Sequence, residues 1–137
     1  MTGDVVLRPV GWVRSAVAER GLAARQGDEG APDAWLEFAP EVARAMADLR
    51  PGHRIVVLTW LDRADRDVLA VHPRSDPDRP LTGVFNTRSP DRPNPDGLHP
   101  VTVLAVDGSR VKVDRMEALD GTPILDVKPH LAPAAER

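Results

Sequence analysis

Asn86-Thr87-Arg88-Ser89-Pro90-Asp91-Arg92-Pro93-Asn94-Pro95-Asp96-Gly97 decides how the chain is read, because three prolines, two arginines and two asparagines stand within these twelve residues. Each proline fixes φ near about −65°, removes a backbone donor and pushes the preceding residue toward extended geometry, so neither a helix nor a central strand runs through the stretch. It is a stiff polar loop. Gly83-Val84-Phe85 precedes it and Leu98-His99-Pro100-Val101-Thr102-Val103-Leu104-Ala105-Val106 follows it, so the loop joins two strands. Stiffness reduces the entropy lost when ligand-binding groups are held in place. Arg88 and Arg92 offer planar forks suited to a carboxylate or phosphate, and Asn86 and Asn94 amides suited to an amide or base edge. Gly97 permits either a positive φ or a close backbone approach.

Outward from the loop the pattern stays β-rich. Residues 5–14 read as a first strand interrupted at Pro9, residues 34–38 as a short alternating strand, and residues 15–32 as a long loop of small and charged residues. Pro40 suits the first position of a helix, with Val42, Ala45, Met46 and Leu49 recurring as one apolar face until Pro51-Gly52 stops it. Residues 53–61 are almost continuously apolar, as expected of a central strand buried on both faces. Further strands are expected over 68–72, 82–86, 98–106, 110–114 and 122–128, with Asp107-Gly108 as a hairpin turn. Seven or eight short strands with one short helix and long loops predict a mostly β fold, an antiparallel barrel or sandwich. No Gly-x-Gly-x-x-Gly fingerprint or P-loop occurs, which disfavours a Rossmann-type enzyme.

The composition sets outer bounds. The 137 residues, 42% of them apolar, suit one domain spanning 1–137. The absence of cysteine excludes disulfides, thiolate metal sites and a cysteine nucleophile. Neither a signal peptide nor an apolar run of about 18 residues is apparent, so a cytoplasmic protein is expected. Lys plus Arg number 18 against 21 Asp plus Glu, so no global basic field draws in nucleic acid and any RNA contact must be local.

Among residues able to do chemistry, Asp120-Gly121-Thr122-Pro123 is a second polar turn, followed on one strand by Asp126, Lys128 and His130. Asp126 and Lys128 share a strand face, where an exposed ion pair is the plainest reading. His53, His72, His99 and His130 stand on different elements without metal-ligand spacing, so no metal site is expected. No nucleophile elbow accompanies the serines.

Taken together, the loop 83–98 and the segment 120–129 resemble the TsaA-like (TrmO-type) family of S-adenosylmethionine-dependent methyltransferases, and Val10-Gly11-Trp12-Val13-Arg14-Ser15 is similar to that family's first strand. The resemblance covers nearly the whole chain. It implies a single-sheeted antiparallel β-barrel, a homodimer, S-adenosyl-L-methionine bound outside any Rossmann fold, and N6-methylation of threonylcarbamoyl-adenosine in tRNA. A small-molecule acceptor and a non-catalytic S-adenosylmethionine-binding module are the alternatives. By the family's pattern the cofactor contacts fall on Arg25, Gln26, His53, Arg88, Leu98, Asp120, Gly121, Thr122 and Pro123, to which the loop chemistry adds Asn86, Arg92 and Asn94. Asp126 and His130 are the candidates for taking a proton from the acceptor. The chain departs from the family at Asp96, usually aliphatic, and at His130, usually tyrosine. An acidic Asp96 disfavours a phosphate-rich acceptor.

Overall fold

Trp12 faces Glu37, Val13 faces Leu36 and Arg14 faces Trp35 in the first of a ring of antiparallel pairings. The computed structural model describes residues 3–16 and 30–134. Its strands are β1 (Gly11–Arg14), β2 (Ala34–Phe38), β3 (Arg54–Trp60), β4 (Ala70–Val71), β5 (Thr82–Gly83), β6 (Asp96–Asp107), β7 (Arg110–Val113) and β8 (Pro123–Pro129). Six of them pair in the order β1-β2-β7-β6-β3-β8, and β8 returns to β1, closing the sheet as a barrel. Strands β4 and β5 form a separate two-stranded ribbon. Closure gives every barrel strand two neighbours.

Alternation fills the interior. Val13, Leu36, Phe38, Ile55, Val57, Val101, Val103, Val111, Val113 and Ile124 point inward, and Met116 joins them from the segment after β7. This corrects the expectation for β3, whose outward Val56, Leu58 and Trp60 are only half-buried. Its apolar run arises because the barrel's outer face there is itself apolar, not because a second layer covers it.

Other boundaries shift as well, and the strand expected over 68–72 is only Ala70–Val71. Pairing in the first strand begins near Val10, whose N–H bonds Ile124 O at 2.8 Å, while Val5 and Val6 remain 86% and 85% exposed. Pro9 cannot donate and restrains Arg8, so the ladder does not extend through them. The predicted helix is a 3₁₀ segment, Pro40–Met46, in which Ala45 is exposed and Val42, Met46 and Leu49 pack on the core. Its bonds run i→i+3, as from Val42 N–H to Ala39 O and from Ala47 N–H to Arg44 O. The strand expected over 82–86 is only Thr82–Gly83, then one 3₁₀ turn, Val84–Asn86.

Strand β6 begins at Asp96, so Asp96 and Gly97 belong to the sheet and not the loop. Pro100 is tolerated inside it because β7 starts to pair only at Val103, so no bond is lost on that edge. No helix among the described residues is long and apolar enough to cross a membrane.

Candidate functional site

Thr59 is the reference point, because it pairs with Gly97 of β6 on one side and with Ile124 of β8 on the other. The exit of the proline loop and the exit of the Asp120 turn therefore flank one end of β3, two strand spacings or about 10 Å apart. The long first loop leaves and re-enters at this end too. Ser15 N–H donates to Asp120 Oδ1 at 3.0 Å, and Met116 N–H donates to Pro32 O at 3.0 Å. Arg25 and Gln26, expected within that loop, lie outside the described residues.

The proline loop is held by its own groups and by the 62–67 turn that follows β3. Arg92 Nη1 donates to the carbonyls of Thr87 and Ser89 at 3.0 and 3.1 Å, and its backbone N–H to Asp65 O at 3.0 Å. Asp65 N–H donates to Asp91 Oδ1 at 2.9 Å. Arg66 donates Nε to Pro93 O at 2.8 Å and Nη2 to Asn94 Oδ1 at 3.0 Å, and its guanidinium lies 5.2 Å from the centre of a Trp60 ring. Leu61 N–H reaches Pro95 O at 2.7 Å.

This bracing divides the residues expected to bind a ligand. Arg92 is spent on the loop's carbonyls, and Asn94 accepts from Arg66 with its side-chain oxygen. Arg88 and Asn86 are exposed, and among the described residues neither has a hydrogen-bond or ionic partner. Asn86 also borders a cleft of about 200 Å³ lined by Leu69, Gly83, Val84 and Phe85. Leu98 is 44% exposed on the outer face of β6.

The second corner is tightly drawn. Gly121 sits at φ +82°, a conformation that favours glycine, and its N–H donates to Val13 O at 2.7 Å. Thr122 is buried, with its hydroxyl on Leu119 O at 2.7 Å and its carbonyl accepting from Val13 N–H at 2.9 Å. Arg14 beside this corner donates to Glu37 at 2.9 Å, and that bond, reinforced by the charge of Glu37 and more weakly by Asp120, raises its guanidinium pKa.

Asp126 lies opposite Leu58, which lies opposite Leu98, so the candidate acid–base group and a candidate binding residue occupy one outward row across three strands. Lys128 Nζ stands 3.5 Å from Asp126 Oδ2 in an exposed pair. His53 and His130 belong elsewhere. His130 N–H donates to Arg54 O at 3.0 Å and His53 precedes Arg54, so both sit at the other end of β3, about 20 Å from Trp60. Within one chain they are not brought to the proline loop.

Two features escaped the sequence reading. The brace from Arg66 had no signal, because its partners lie 27 and 28 residues away in a loop. A buried chain in which Thr59 Oγ1 lies 2.6 Å from His99 Nε2 and His99 Nδ1 lies 2.8 Å from Glu117 Oε1 was signalled only by one threonine in the apolar run of β3.

Comparison with known proteins concerns the chain as a whole. The profile of the family described as tRNA-methyltransferase O N-terminal domain matches residues 12–135. An S-adenosyl-L-methionine-binding protein of Archaeoglobus fulgidus is 39% identical over 124 residues, which cover 90% of this chain and 88% of that protein. A probable S-adenosyl-L-methionine-binding protein of Methanothermobacter thermautotrophicus is 41% identical over 127 residues, covering 93% and 90%. A second, probable S-adenosyl-L-methionine-binding protein of A. fulgidus is 43% identical over 126 residues, yet the match spans 92% of this chain and 34% of that one. A crystal structure of TrmO from Pseudomonas aeruginosa is similar with a TM-score of 0.74 at 27% identity, over 96% of this chain and 56% of that chain.

Proposed function

Since the chain belongs to the tRNA-methyltransferase O N-terminal domain family, we propose that it is an S-adenosyl-L-methionine-dependent methyltransferase acting at N6 of threonylcarbamoyl-adenosine in tRNA. The single observation that carries the reading is the convergence of the proline loop, the Asp120 corner and both anchors of the first loop at the Thr59 end of the barrel.

The residues at this end fit such a cofactor. Its carboxylate suits the uncommitted guanidinium of Arg88, its adenine edge the amide of Asn86, its sulfonium the carboxylate of Asp120, and its apolar surface the exposed Leu98. The tight turn at Gly121 brings backbone within reach of a ligand without a side chain in the way. When bound, the cofactor supplies an electrophilic methyl group. Methyl transfer is an in-line displacement whose main demand is alignment, and Arg66, Arg92 and the prolines supply it by fixing the loop that carries Arg88. Asp126, in the same outward row as Leu98 and 3.5 Å from Lys128 Nζ, is the group we assign to take the proton of the acceptor nitrogen. His130 stands four residues farther along the chain, beside Arg54 at the far end. It is assigned no step.

Exposed Asp96 at the first position of β6, beside this loop, favours a second reading in which the acceptor is a small molecule poor in phosphate. We also propose a homodimer in the cytoplasm, which sedimentation of the purified protein would test. To separate the acceptors, the protein is incubated with methyl-labelled S-adenosyl-L-methionine and either total tRNA or a metabolite extract. The proposal expects label in tRNA, released on digestion as an N6-methylated threonylcarbamoyl-adenosine. Label confined to the extract supports the second reading, and binding of the cofactor without any transfer marks a non-catalytic module.

A further inference from the structure

His99, which is buried, and Glu117, which is partly buried, are titratable groups that the proposed reaction does not use. His99 is 3% exposed and Glu117 13%. A carboxylate only accepts, so His99 Nδ1 carries the hydrogen directed at Glu117 Oε1, and in the neutral ring Nε2 accepts the hydroxyl hydrogen of Thr59. Gly97 serves this arrangement. Its φ is not positive, and a Cβ there would collide with Thr59 Oγ1 and stand 2.5 Å from His99 Nε2.

The connectivity gives the network its meaning. Residues 116–121 form no ladder with the sheet, and they carry Asp120 at their end. Their ties run to Pro32, to β1 and Ser15, and through Glu117 to His99. Among the described residues, the Glu117–His99 bond is the one hydrogen bond that links residues 116–121 to β6, the strand on which the proline loop ends. His99 directly follows Leu98, whose side chain faces outward toward the proposed ligand.

We infer that His99 is a positioning residue, which through Glu117 locks the Asp120 corner to the strand that ends the proline loop and so fixes the spacing of the two halves of the cofactor site. The inference rests on the reading of this barrel end as that site. The Nδ1 arm does the positioning, while the Nε2 arm to Thr59 only satisfies the ring inside the core.

Two substitutions separate the arms. Asparagine places its amide nitrogen where Nδ1 stands, and glutamine places its amide where Nε2 stands, so His99→Asn keeps the Glu117 bond and His99→Gln loses it. Amide hydrogen exchange of Gly121 and Thr122 reports the corner without any ligand, and the amides of β3 report the barrel. The expected result is exchange at Gly121 and Thr122, taken relative to the β3 amides of the same variant, about tenfold faster or more in His99→Gln and near wild-type in His99→Asn, where loss of the Thr59 partner lowers the protection of β3 itself. Calorimetry with S-adenosyl-L-methionine is expected to follow the same order, with about tenfold weaker binding in His99→Gln and full affinity in His99→Asn. Should His99→Gln not fold, Glu117→Ala removes the same bond from the other side and is read at the same amides. Equal exchange in the two histidine variants, or protection lost evenly through β3 as well, overturns the inference. Variants that show this exchange pattern, with a wild-type protein that binds no S-adenosyl-L-methionine, refute the cofactor reading instead.

Discussion

Gly97 lies directly opposite Thr59, with its φ in the ordinary negative range, so glycine is needed there for space and not for backbone freedom. Any side chain at position 97 would enter the volume held by the Thr59 hydroxyl and the His99 ring. Gly97→Ala is therefore expected to lower stability by about 1–3 kcal/mol, the usual cost of overpacking a filled interior. Urea unfolding of the two proteins measures it, and an unchanged midpoint would show that the Thr59–His99 contact yields freely.

The two loop arginines are expected to separate cleanly. Arg88→Ala should weaken S-adenosyl-L-methionine binding by about 1.5–3 kcal/mol, the range for a hydrogen bond to a charged group, while stability stays within about 0.5 kcal/mol. Arg92→Ala should lower stability as well, because Thr87 and Ser89 lose the donor that ties their carbonyls together. Calorimetry and thermal unfolding on both variants give the comparison. Equal behaviour would mean that Arg92 also reaches the ligand.

Arg66 acts on the loop from the next turn of chain. Removing it in Arg66→Ala takes away two hydrogen bonds and the contact with Trp60, all on the exposed surface. A loss of about 1 kcal/mol in stability is expected, with a larger loss in cofactor affinity, because the loop must then be ordered on binding. The ratio of the two effects is the informative quantity.

His53 stands at the far end of β3, so His53→Ala is expected to leave cofactor affinity unchanged within about twofold, an effect of under half a kcal/mol. A marked loss would mean that a second copy of the chain completes the site with its own far end.

Strand β2 could be read residue for residue, because Ala34, Leu36 and Phe38 alternate with Trp35 and Glu37 and alternation is a local property. Strand β3 could be recognised but its surroundings could not, since an apolar outward face in a barrel looks like burial on both faces. The proline loop was legible as a stiff connection because each proline acts on its own dihedral. Which arginine of that loop is free was not legible. Arg92 finds its acceptors three and five residues away, and only the turn of the folded loop puts them in reach. The same limit hid the Thr59–His99–Glu117 chain, whose links span 40 and 18 residues and leave no local period.

The acceptor is best separated by ionic strength. An RNA that contacts several phosphates should be methylated with a rate at low substrate that falls steeply as salt rises, whereas a small uncharged acceptor should be nearly indifferent. A flat profile with tRNA as substrate would argue against phosphate contacts.

Titration of isotope-labelled protein with S-adenosyl-L-methionine, followed through backbone amide shifts, shows whether one end of the barrel holds the cofactor between the proline loop and the Asp120 corner. Arg88, Leu98, Gly121 and Thr122 are expected to move together along one binding curve while His53 and His130 stay still. Shifts confined to His53 and His130, or movement at only one of the two corners, would contradict that placement.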